Sequence, residues 1–249
     1  MGDIELIIDF YKNARRQGPG SRDETLRAFD LTGLSRKTHL NIADIGCGTG
    51  TQTFDLAGYT NADITAVDLF PQFLDKLNQQ ADSLGYRDRI STLQSSMDDL
   101  PFEEESFDLI WSEGAIYNMG FEAGIKSWKP FLKPGGYLCV SEITWITNSR
   151  PDGLEKFWQS EYPEIGRASE KISILEENGY SLSGYFYLDQ ESWINNYYDP
   201  IKERFESFLK THDHSEMAKK IVTEYQNEID QYLDNKQYYS YGFFVACKD

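Results

Sequence analysis

The sequence predicts an α/β fold built on a doubly wound, mostly parallel sheet of seven strands with an antiparallel last strand. From Leu40 onwards, short apolar runs bounded by turn-forming residues alternate with helical patterns, and the chain closes on an aromatic and β-branched run. This alternation is typical of parallel strands joined by crossover helices. With 249 residues, 40% of them hydrophobic, the chain is long enough for one large domain with its own core.

The predicted strands are short, mostly apolar and bounded by Gly, Pro, Asp or Ser. They are Leu40–Ile45, Asp63–Asp68, Ile90–Gln94, Phe107–Ser112, Gly136–Glu142, Tyr180–Leu188 and Ser240–Cys247. Between the early strands, Pro71–Leu84 and Glu122–Leu132 have helical patterns, and Pro71 suits a first helical turn. Because Ser240–Cys247 arrives after a long helical stretch, Ser192–Asp234, we expect it to lie antiparallel beside its predecessor.

Composition restricts the classes of partner. The net charge of -17 disfavours binding to nucleic-acid backbones and to anionic membrane surfaces. Three cysteines cannot all pair, and none has the spacing of a zinc site, so we expect a reducing, cytoplasmic location and no metal. The acidic N-terminus does not resemble a secretory signal, and no run is long enough to span a bilayer.

The most informative motif is the segment Asp44–Gly50, in which an apolar strand runs directly into a glycine-rich turn and then a helix. Gly46 permits the tight turn, Gly48 lets a ligand approach the backbone, and Gly50 allows close packing. Such a turn is typical of nucleoside-bearing cofactors. The third glycine comes one residue too early for the dinucleotide motif, which disfavours nicotinamide cofactors. Asp68 ends the next strand, where a carboxylate can accept hydrogen bonds from both ribose hydroxyls.

These residues resemble those of the class I S-adenosylmethionine-dependent methyltransferases. The segment Asp44–Gly50 is similar to the first motif of the family, and Asp68 to the acid that closes its second strand. Ser96–Phe102, Phe107–Ser112 and Leu132–Gly136 resemble the segments at its third, fourth and fifth strands. The nearest similarity is to the small-molecule branch that includes quinone and sterol C-methyltransferases and glycine-type N-methyltransferases. It implies a Rossmann-like fold, S-adenosyl-L-methionine as cofactor and S-adenosyl-L-homocysteine as product.

The resemblance also implies residue roles. The glycine loop with Asp44 would hold the methionine end, Asp68 the ribose, and Leu69, Met97 and Asp98 the adenine. Ser112 and Glu113 would border the sulfonium, while Arg16 and Gly20 would close over the carboxylate end. The expected cofactor-binding residues are Asp44, Gly46, Cys47, Gly48, Gly50, Asp68, Leu69, Met97, Asp98, Ser112, Arg16 and Gly20.

Methyl transfer is a displacement at an activated sulfonium, so alignment of donor and acceptor supplies much of the acceleration. If the acceptor must lose a proton, Glu113, Tyr117 and Glu142 are the candidate bases, with a structural hydrogen-bonding role as the alternative for each. Tyr117, Trp145 and Trp111 are candidate acceptor-binding aromatics, with core packing as the alternative.

We expect a single methyltransferase domain over residues 1–249. Residues 1–35 would form an N-terminal helical lid, 36–145 the cofactor-binding core, and 146–249 a C-terminal part with a helical insertion at about 190–236. The leading hypothesis is methyl transfer to an N, O or C atom of a small-molecule acceptor. The alternatives are a non-catalytic S-adenosylmethionine-binding protein and, less favoured by the glycine spacing, an NAD-dependent oxidoreductase. The sequence leaves the acceptor and the oligomeric state open, and a homodimer is compatible with it.

Overall fold

A mixed sheet forms the centre of the computed structural model, which describes residues 3–249. Seven strands follow the order β3-β2-β1-β4-β5-β8-β7, and a short eighth strand, β6, pairs with β5 beside that path. In chain order the strands are β1 (His39–Ile45), β2 (Asn61–Asp68), β3 (Ile90–Gln94), β4 (Phe107–Ser112), β5 (Leu132–Trp145), β6 (Gly166–Arg167), β7 (Tyr180–Tyr187) and β8 (Tyr239–Lys248).

The sheet confirms the predicted fold class. Strands β1 to β5 pair in parallel, whereas β8 lies antiparallel between β5 and β7. Two details differ from the prediction. The sheet has eight strands and not seven, because it includes β6. This strand has only two residues, which are too few to show a hydrophobic pattern in the sequence. Strand β5 is longer than predicted at both ends. It begins at Leu132, because the residues expected to form a turn before Gly136 pair with β4 across an irregularity in register, and it ends at Trp145.

Helices flank the sheet and connect its strands. They are α1 (Asp3–Lys12), α2 (Arg22–Leu31), α3 (Thr51–Tyr59), α4 (Pro71–Leu84), α5 (Phe121–Trp128), α6 (Asp152–Glu161), α7 (Ala168–Glu177), α8 (Gln190–Trp193), α9 (Asp199–Lys202), α10 (Phe205–Thr211) and α11 (Glu216–Asn235). Helix α4 has the predicted bounds: Pro71 occupies its first turn, and Gly85 ends it at a φ of 75°.

The predicted helical stretch Ser192–Asp234 is interrupted. Between α8 and α9 the chain forms a π-helical turn, Ile194–Tyr198, and between α10 and α11 Asp213 and His214 both have positive φ angles. Left-handed backbone at two consecutive non-glycine residues cannot continue a helix. The broken helices pack on an aromatic cluster that includes Trp193 and Tyr232, whose rings stack with centroids 4.5 Å apart.

The N-terminal helices are tied to both halves of the chain. Ser21 caps α2, since its hydroxyl accepts a hydrogen bond from the Glu24 amide. The Glu24 carboxylate accepts hydrogen bonds from the Asp189 amide at 2.8 Å and the Ser192 hydroxyl at 2.5 Å. These contacts hold the first turn of α2 beside the start of α8.

Residues 3–249 lack two features that would bear on location and chemistry. No helix within residues 3–249 is long and apolar enough to cross a membrane. The same residues contain no group of three or more His, Cys, Asp or Glu side chains placed to hold a metal ion.

Candidate active site

A cavity of about 560 Å³ lies at the carboxyl ends of the parallel strands. Its floor is formed by the loops that follow β1, β2, β3 and β4, and its cover by α1 and the segment after it. The lining residues include Ile4, Ile7, Ile8, Tyr11, Arg16, Gln17, Gly46, Cys47, Gly48, Asp68, Leu69, Ser96, Met97, Asp98, Glu113, Gly114 and Tyr117. Ligands of open α/β sheets bind at this edge.

The glycine loop forms a bare backbone surface at the cavity. The Gly46 and Cys47 amides both donate to the Val67 carbonyl at 2.9 Å, which fixes the turn against β2. Gly46 has a φ of 75°, and a Cβ added there would lie 2.4 Å from the Ala115 Cβ. A Cβ added at Gly48, φ 57°, would lie 2.7 Å from Gln17 Oε1. The loop therefore leaves room for a ligand that side chains would fill.

Gly50 has the close-packing role that the glycine-rich turn predicted, but it lies outside the cavity in which the resemblance placed it. It has a φ of 89° and does not line the cavity. A Cβ there would lie 2.7 Å from Leu77 Cδ1, so Gly50 lets α3 approach α4. Gly50 therefore serves packing, and it would influence a bound ligand only by setting the position of α3.

Asp68 lies on the cavity wall with both carboxylate oxygens held by backbone amides. Oδ2 accepts from Gly48 N at 2.8 Å and Oδ1 from Phe70 N at 3.0 Å. Each oxygen keeps lone pairs for a further donor. Burial raises the pKa of this carboxyl. Asp68 thus faces the cavity in a fixed orientation, bonded to the glycine loop itself.

Apolar and polar groups flank Asp68 where a flat ring can lie. Leu69 is 52% exposed and lines the cavity with Met97 and Asp98. The loop that carries them is held by Trp128, whose Nε1 donates to the Met97 carbonyl at 2.9 Å. The structure therefore brings the three predicted adenine-binding residues together on one wall.

Asp44 does not line the cavity, contrary to the expected contact with the ligand. It is fully buried below the glycine loop, where it accepts hydrogen bonds from Thr53 Oγ1 at 2.5 Å and Gln52 Nε2 at 3.3 Å. Gln52 Nε2 also donates to the Cys47 carbonyl at 3.2 Å. Burial raises the pKa of Asp44 to about 7. Asp44 therefore positions the loop through Gln52.

Arg16 and Glu113 form a buried ion pair at the cavity, with Arg16 Nη2 2.8 Å from Glu113 Oε2. Glu113 Oε1 accepts from Thr25 Oγ1 at 2.7 Å and Trp111 Nε1 at 3.0 Å. Both oxygens of Glu113 are thus bonded within the protein and not directed at a ligand, which argues against the predicted role of Glu113 as a base. Gly20 lies behind the pair and outside the cavity lining, where a Cβ would be 2.6 Å from Arg16 Nη2.

Gln17 is a cavity residue that the sequence analysis missed. Its amide nitrogen donates to Thr49 Oγ1 at 2.9 Å and to the Tyr11 carbonyl at 3.1 Å, and its Oε1 accepts from Thr49 N at 3.2 Å. These bonds connect the segment after α1 to the glycine loop. A lone glutamine between two helices carries no motif, whereas the apolar side chains of Ile4, Ile7 and Ile8 could have been inferred from the amphipathic pattern of α1.

Trp111 and Ser112, on β4, are core residues. Both are fully buried and absent from the cavity lining, contrary to their expected contacts with acceptor and cofactor. Trp111 packs edge-on against Phe243, with ring centroids 5.4 Å apart. Among residues 3–249, the buried Ser112 hydroxyl has no hydrogen-bond partner. Because strand side chains alternate between faces, Ser112 lies on the face opposite Glu113, and Glu113, one residue beyond β4, is the first residue of this segment that lines the cavity.

Glu142 and Trp145, on β5, also lie outside the cavity lining. Since β5 continues to Trp145, Glu142 is inside the sheet and not at its edge. Its carboxylate is fully buried 3.3 Å from Lys171 Nζ, and burial raises its pKa to about 7. Trp145 is 3% exposed, with the Arg150 guanidinium 4.2 Å above its ring. Neither residue faces the predicted acceptor.

Of the predicted acceptor-binding aromatics, only Tyr117 reaches the cavity. It lies in a short 3₁₀ turn, Ile116–Asn118, and is 43% exposed. Its ring contacts that of Tyr162 edge-on at a centroid distance of 6.3 Å. Cys47 also lines the cavity, but its thiol is buried and its pKa is raised well above the ordinary value, mainly by burial, which makes it a poor nucleophile.

The cavity coincides with the part of the chain that matches a known family. Residues 42–136, which contain the glycine loop, Asp68 and Glu113, match the model of the methyltransferase domain family. This part of the chain is similar to that family. The match ends before β6, so the C-terminal helices and β8 lie outside it.

Curated relatives of the methyltransferase domain are distant. A sterol 4-C-methyltransferase of Caenorhabditis elegans is 27% identical over 128 residues, which are 50% of this chain and 37% of that protein. A ubiquinone/menaquinone biosynthesis C-methyltransferase of Geotalea daltonii is 27% identical over 125 residues, 49% of this chain and 53% of that protein. The chain thus spans about half, or less, of the length of these relatives.

The fold of the whole chain has close structural neighbours. A methyltransferase from Geobacter sulfurreducens, described as S-adenosylmethionine-dependent and solved in complex with S-adenosyl-L-homocysteine, superimposes with a TM-score of 0.85. The superposition covers 98% of each chain at 16% identity. This chain therefore shares the fold of that protein over nearly its whole length.

Proposed function

We propose that this chain binds S-adenosylmethionine in the cavity and transfers its methyl group to a small-molecule acceptor. One observation carries the proposal. The bare Gly46–Gly48 backbone and the Asp68 carboxylate lie side by side on the cavity wall, joined by the hydrogen bond from Gly48 N to Asp68 Oδ2. Together they provide a surface without side chains next to an acceptor for two hydroxyls, which fits an adenosine-bearing ligand.

Different lining residues would contact different parts of the ligand. The Asp68 oxygens would accept the ribose hydroxyls, since each keeps free lone pairs. Leu69 and Met97 would cover the adenine, with Asp98 near its amino group. Gly46 and Gly48 would border the methionine part, while Arg16 and Gln17 lie above the loop, within reach of the ligand carboxylate. Asp44 and Gly50 would act only by positioning the loop and α3.

When bound, the cofactor supplies a methyl group on a positively charged sulfur. A lone pair of the acceptor forms the new bond to the methyl carbon as the carbon–sulfur bond breaks, and the bonding pair stays on sulfur, giving S-adenosylhomocysteine. The contribution of this chain is to hold the two reactants in line and to exclude water, which the cover formed by α1 supports.

A non-catalytic S-adenosylmethionine-binding protein is the second candidate. The observation that favours it is the absence of Glu142 from the cavity lining and the occupation of both Glu113 oxygens by donors, so neither carboxylate is placed as a base. An acceptor that needs no base, such as a neutral amine, is compatible with the catalytic proposal. The net charge of -17 supports a small acceptor over a nucleic acid.

Turnover distinguishes the two candidates. The full chain is incubated with methyl-labelled S-adenosylmethionine and pools of amines, phenols, quinones and sterols, and transfer of the label and formation of S-adenosylhomocysteine are measured. Acceptor-dependent formation of both products supports the enzyme. Tight binding of the cofactor without transfer to any pool supports the non-catalytic protein. Failure to bind the cofactor contradicts both.

A further inference from the structure

Asn196 connects the C-terminal helices to the cover of the cavity. It lies in the π-helical turn Ile194–Tyr198, and its Nδ2 donates a hydrogen bond to the Gly20 carbonyl at 3.0 Å. The two residues are 176 positions apart in the chain. Turns of this kind are rare and are found frequently at functional sites. Asn196 does not itself line the cavity, so its effect on a ligand would pass through Gly20.

Gly20 is the last residue of the stretch that covers the cavity after α1. The four residues before it, 16–19, all line the cavity, and we call residues 16–20 the cover segment. Both backbone polar atoms of Gly20 are bonded to the chain around α8. The Gly20 amide donates to the Ser192 carbonyl at 3.4 Å, and the Gly20 carbonyl accepts from Asn196. The C-terminal helices therefore fix the point at which the cover segment ends.

The cover segment has no side chains with which to fix its own end. Gly18, Pro19 and Gly20 carry no side-chain hydrogen-bonding group, and glycine loses more conformational freedom on ordering than any other residue. Gly20 also has a φ of 148°, in the region that favours glycine. An ordered conformation at this end therefore depends on hydrogen bonds from other elements. Asn196 supplies the hydrogen bond to the Gly20 carbonyl.

The position of Gly20 bears directly on Arg16, which lines the cavity. A Cβ added at Gly20 would lie 2.6 Å from Arg16 Nη2, the same nitrogen that pairs with Glu113 Oε2 at 2.8 Å. The Gly20 backbone is thus the surface against which the guanidinium packs. Because Arg16 is only 8% exposed, it has little space in which to adjust if Gly20 moves. A displacement of Gly20 would therefore change the placement of Arg16 over the cavity.

We propose that Asn196 is a positioning residue for the cofactor, which holds Gly20 so that the cover segment lies over the methionine end of the ligand. This inference rests on the proposed cofactor site. Asn196 lies outside residues 42–136, which match the methyltransferase domain family, so the C-terminal helices contribute to cofactor binding through the cover segment. The effect falls on the amino and carboxyl groups beneath that segment. It spares the adenosine part, which Asp68 and Leu69 would hold.

The test compares S-adenosylhomocysteine with 5′-methylthioadenosine, which keeps the adenosine and the sulfur but lacks the amino and carboxyl groups. Binding of each to the full chain is measured by NMR titration, which also detects weak binding. Asn196→Asp keeps the size of the side chain, but its carboxylate cannot donate to the Gly20 carbonyl. We expect this variant to bind S-adenosylhomocysteine about tenfold more weakly than the wild type, and 5′-methylthioadenosine within about twofold of it.

Asn195→Asp is the matched control, since Asn195 is exposed in the same turn and the change adds the same charge. It should leave both affinities unchanged. Asn196→Ala removes the donor without adding a charge, and it decides the question if thermal unfolding shows that Asn196→Asp does not fold. Equal losses for the two ligands, or S-adenosylhomocysteine binding as tight as in Asn195→Asp, overturns the inference. Failure of the wild type to bind S-adenosylhomocysteine would instead contradict the proposed function, so the two failures are distinguishable.

Discussion

Arg16 and Glu113 form an ion pair that joins the N-terminal segment to the end of β4, with a nitrogen–oxygen distance of 2.8 Å. Each of the two side chains is less than a tenth exposed. The pair connects two parts of the chain that are 97 residues apart. Because Arg16 also lines the cavity, this ion pair joins the cover to the wall of the proposed cofactor site, in addition to the hydrogen bonds between Gln17 and Thr49.

We expect Arg16→Met to weaken S-adenosylhomocysteine binding by about tenfold or more, the usual scale for the loss of a charge-assisted hydrogen bond. The variant leaves Glu113 without its cation and the cover without its attachment. Arg15→Met is the control, because Arg15 is exposed one residue away. Calorimetric titration measures both. Equal affinities of the two variants would show that the ion pair does not hold the site.

Gly46→Ala should disrupt the glycine loop more than a positive φ angle alone explains. Gly33 has a φ of 71° and free space around its Cβ position, whereas a Cβ at Gly46 meets Ala115 at 2.4 Å. Gly33→Ala thus measures the backbone cost, about 1–2 kcal/mol, and Gly46→Ala adds the steric clash. Denaturant unfolding of both variants compares the two costs. A free energy of unfolding that falls equally in both would mean that the loop moves away from Ala115 without cost.

Tyr117→Phe should lower the methyl-transfer rate while leaving S-adenosylhomocysteine affinity within about twofold, since the change removes only a hydroxyl at the acceptor side. Trp145→Ala should act differently. Trp145 is a core residue, so its truncation should destabilise the fold by about 3–5 kcal/mol. Rates are measured with an acceptor found by screening, and stabilities by denaturant unfolding. A stable Trp145→Ala variant with impaired turnover would restore the acceptor role that the structure argues against.

Asp44 makes stability depend on pH. Its pKa is near the ordinary aspartate value of 3.8 when the chain is unfolded and is raised to about 7 by burial when the chain is folded. The folded state therefore keeps a proton that the unfolded state loses between these values, and this contribution to stability falls as the pH rises from about 4 to 7. Asp44→Asn should reduce the slope by about 1.4 kcal/mol per pH unit within this window.

Denaturant unfolding at several pH values between 4.5 and 6.5 measures this slope. Glu142, whose pKa is also about 7, contributes a similar dependence that remains in the variant. A slope in Asp44→Asn equal to that of the wild type would mean that Asp44 is ionised in the folded protein.

The fold and the loop of the site were predictable because both depend on local patterns. The strand periodicity, the Asp44–Gly50 motif and the position of Asp68 are contiguous or in fixed register, so the sequence indicates them directly. Contacts between distant segments leave no such pattern. The pairing of Gln17 with Thr49, and the placement of Glu228 beside Tyr198, arise only when the flanking helices pack on the sheet.

Three of the misplaced residues share a physical cause. Glu142, Trp145 and Ser112 were assigned to the site because each was expected at or beyond a strand end. Strand β5 extends to Trp145, and Ser112 is the last residue of β4, on the face opposite Glu113. A one-residue shift changes the face that a strand residue occupies, and a three-residue extension moves a carboxylate from the edge into the core.

The most direct test of the proposed cofactor site is calorimetric titration of the full chain with S-adenosylhomocysteine and with NAD. We use wild type, Asp68→Ala and the solvent-facing control Asp63→Ala. The account predicts binding of S-adenosylhomocysteine and none of NAD, with Asp68→Ala weakening the affinity by about 1–3 kcal/mol and Asp63→Ala leaving it unchanged. Binding of NAD in place of S-adenosylhomocysteine, or an Asp68→Ala variant that binds as tightly as the wild type, would contradict it.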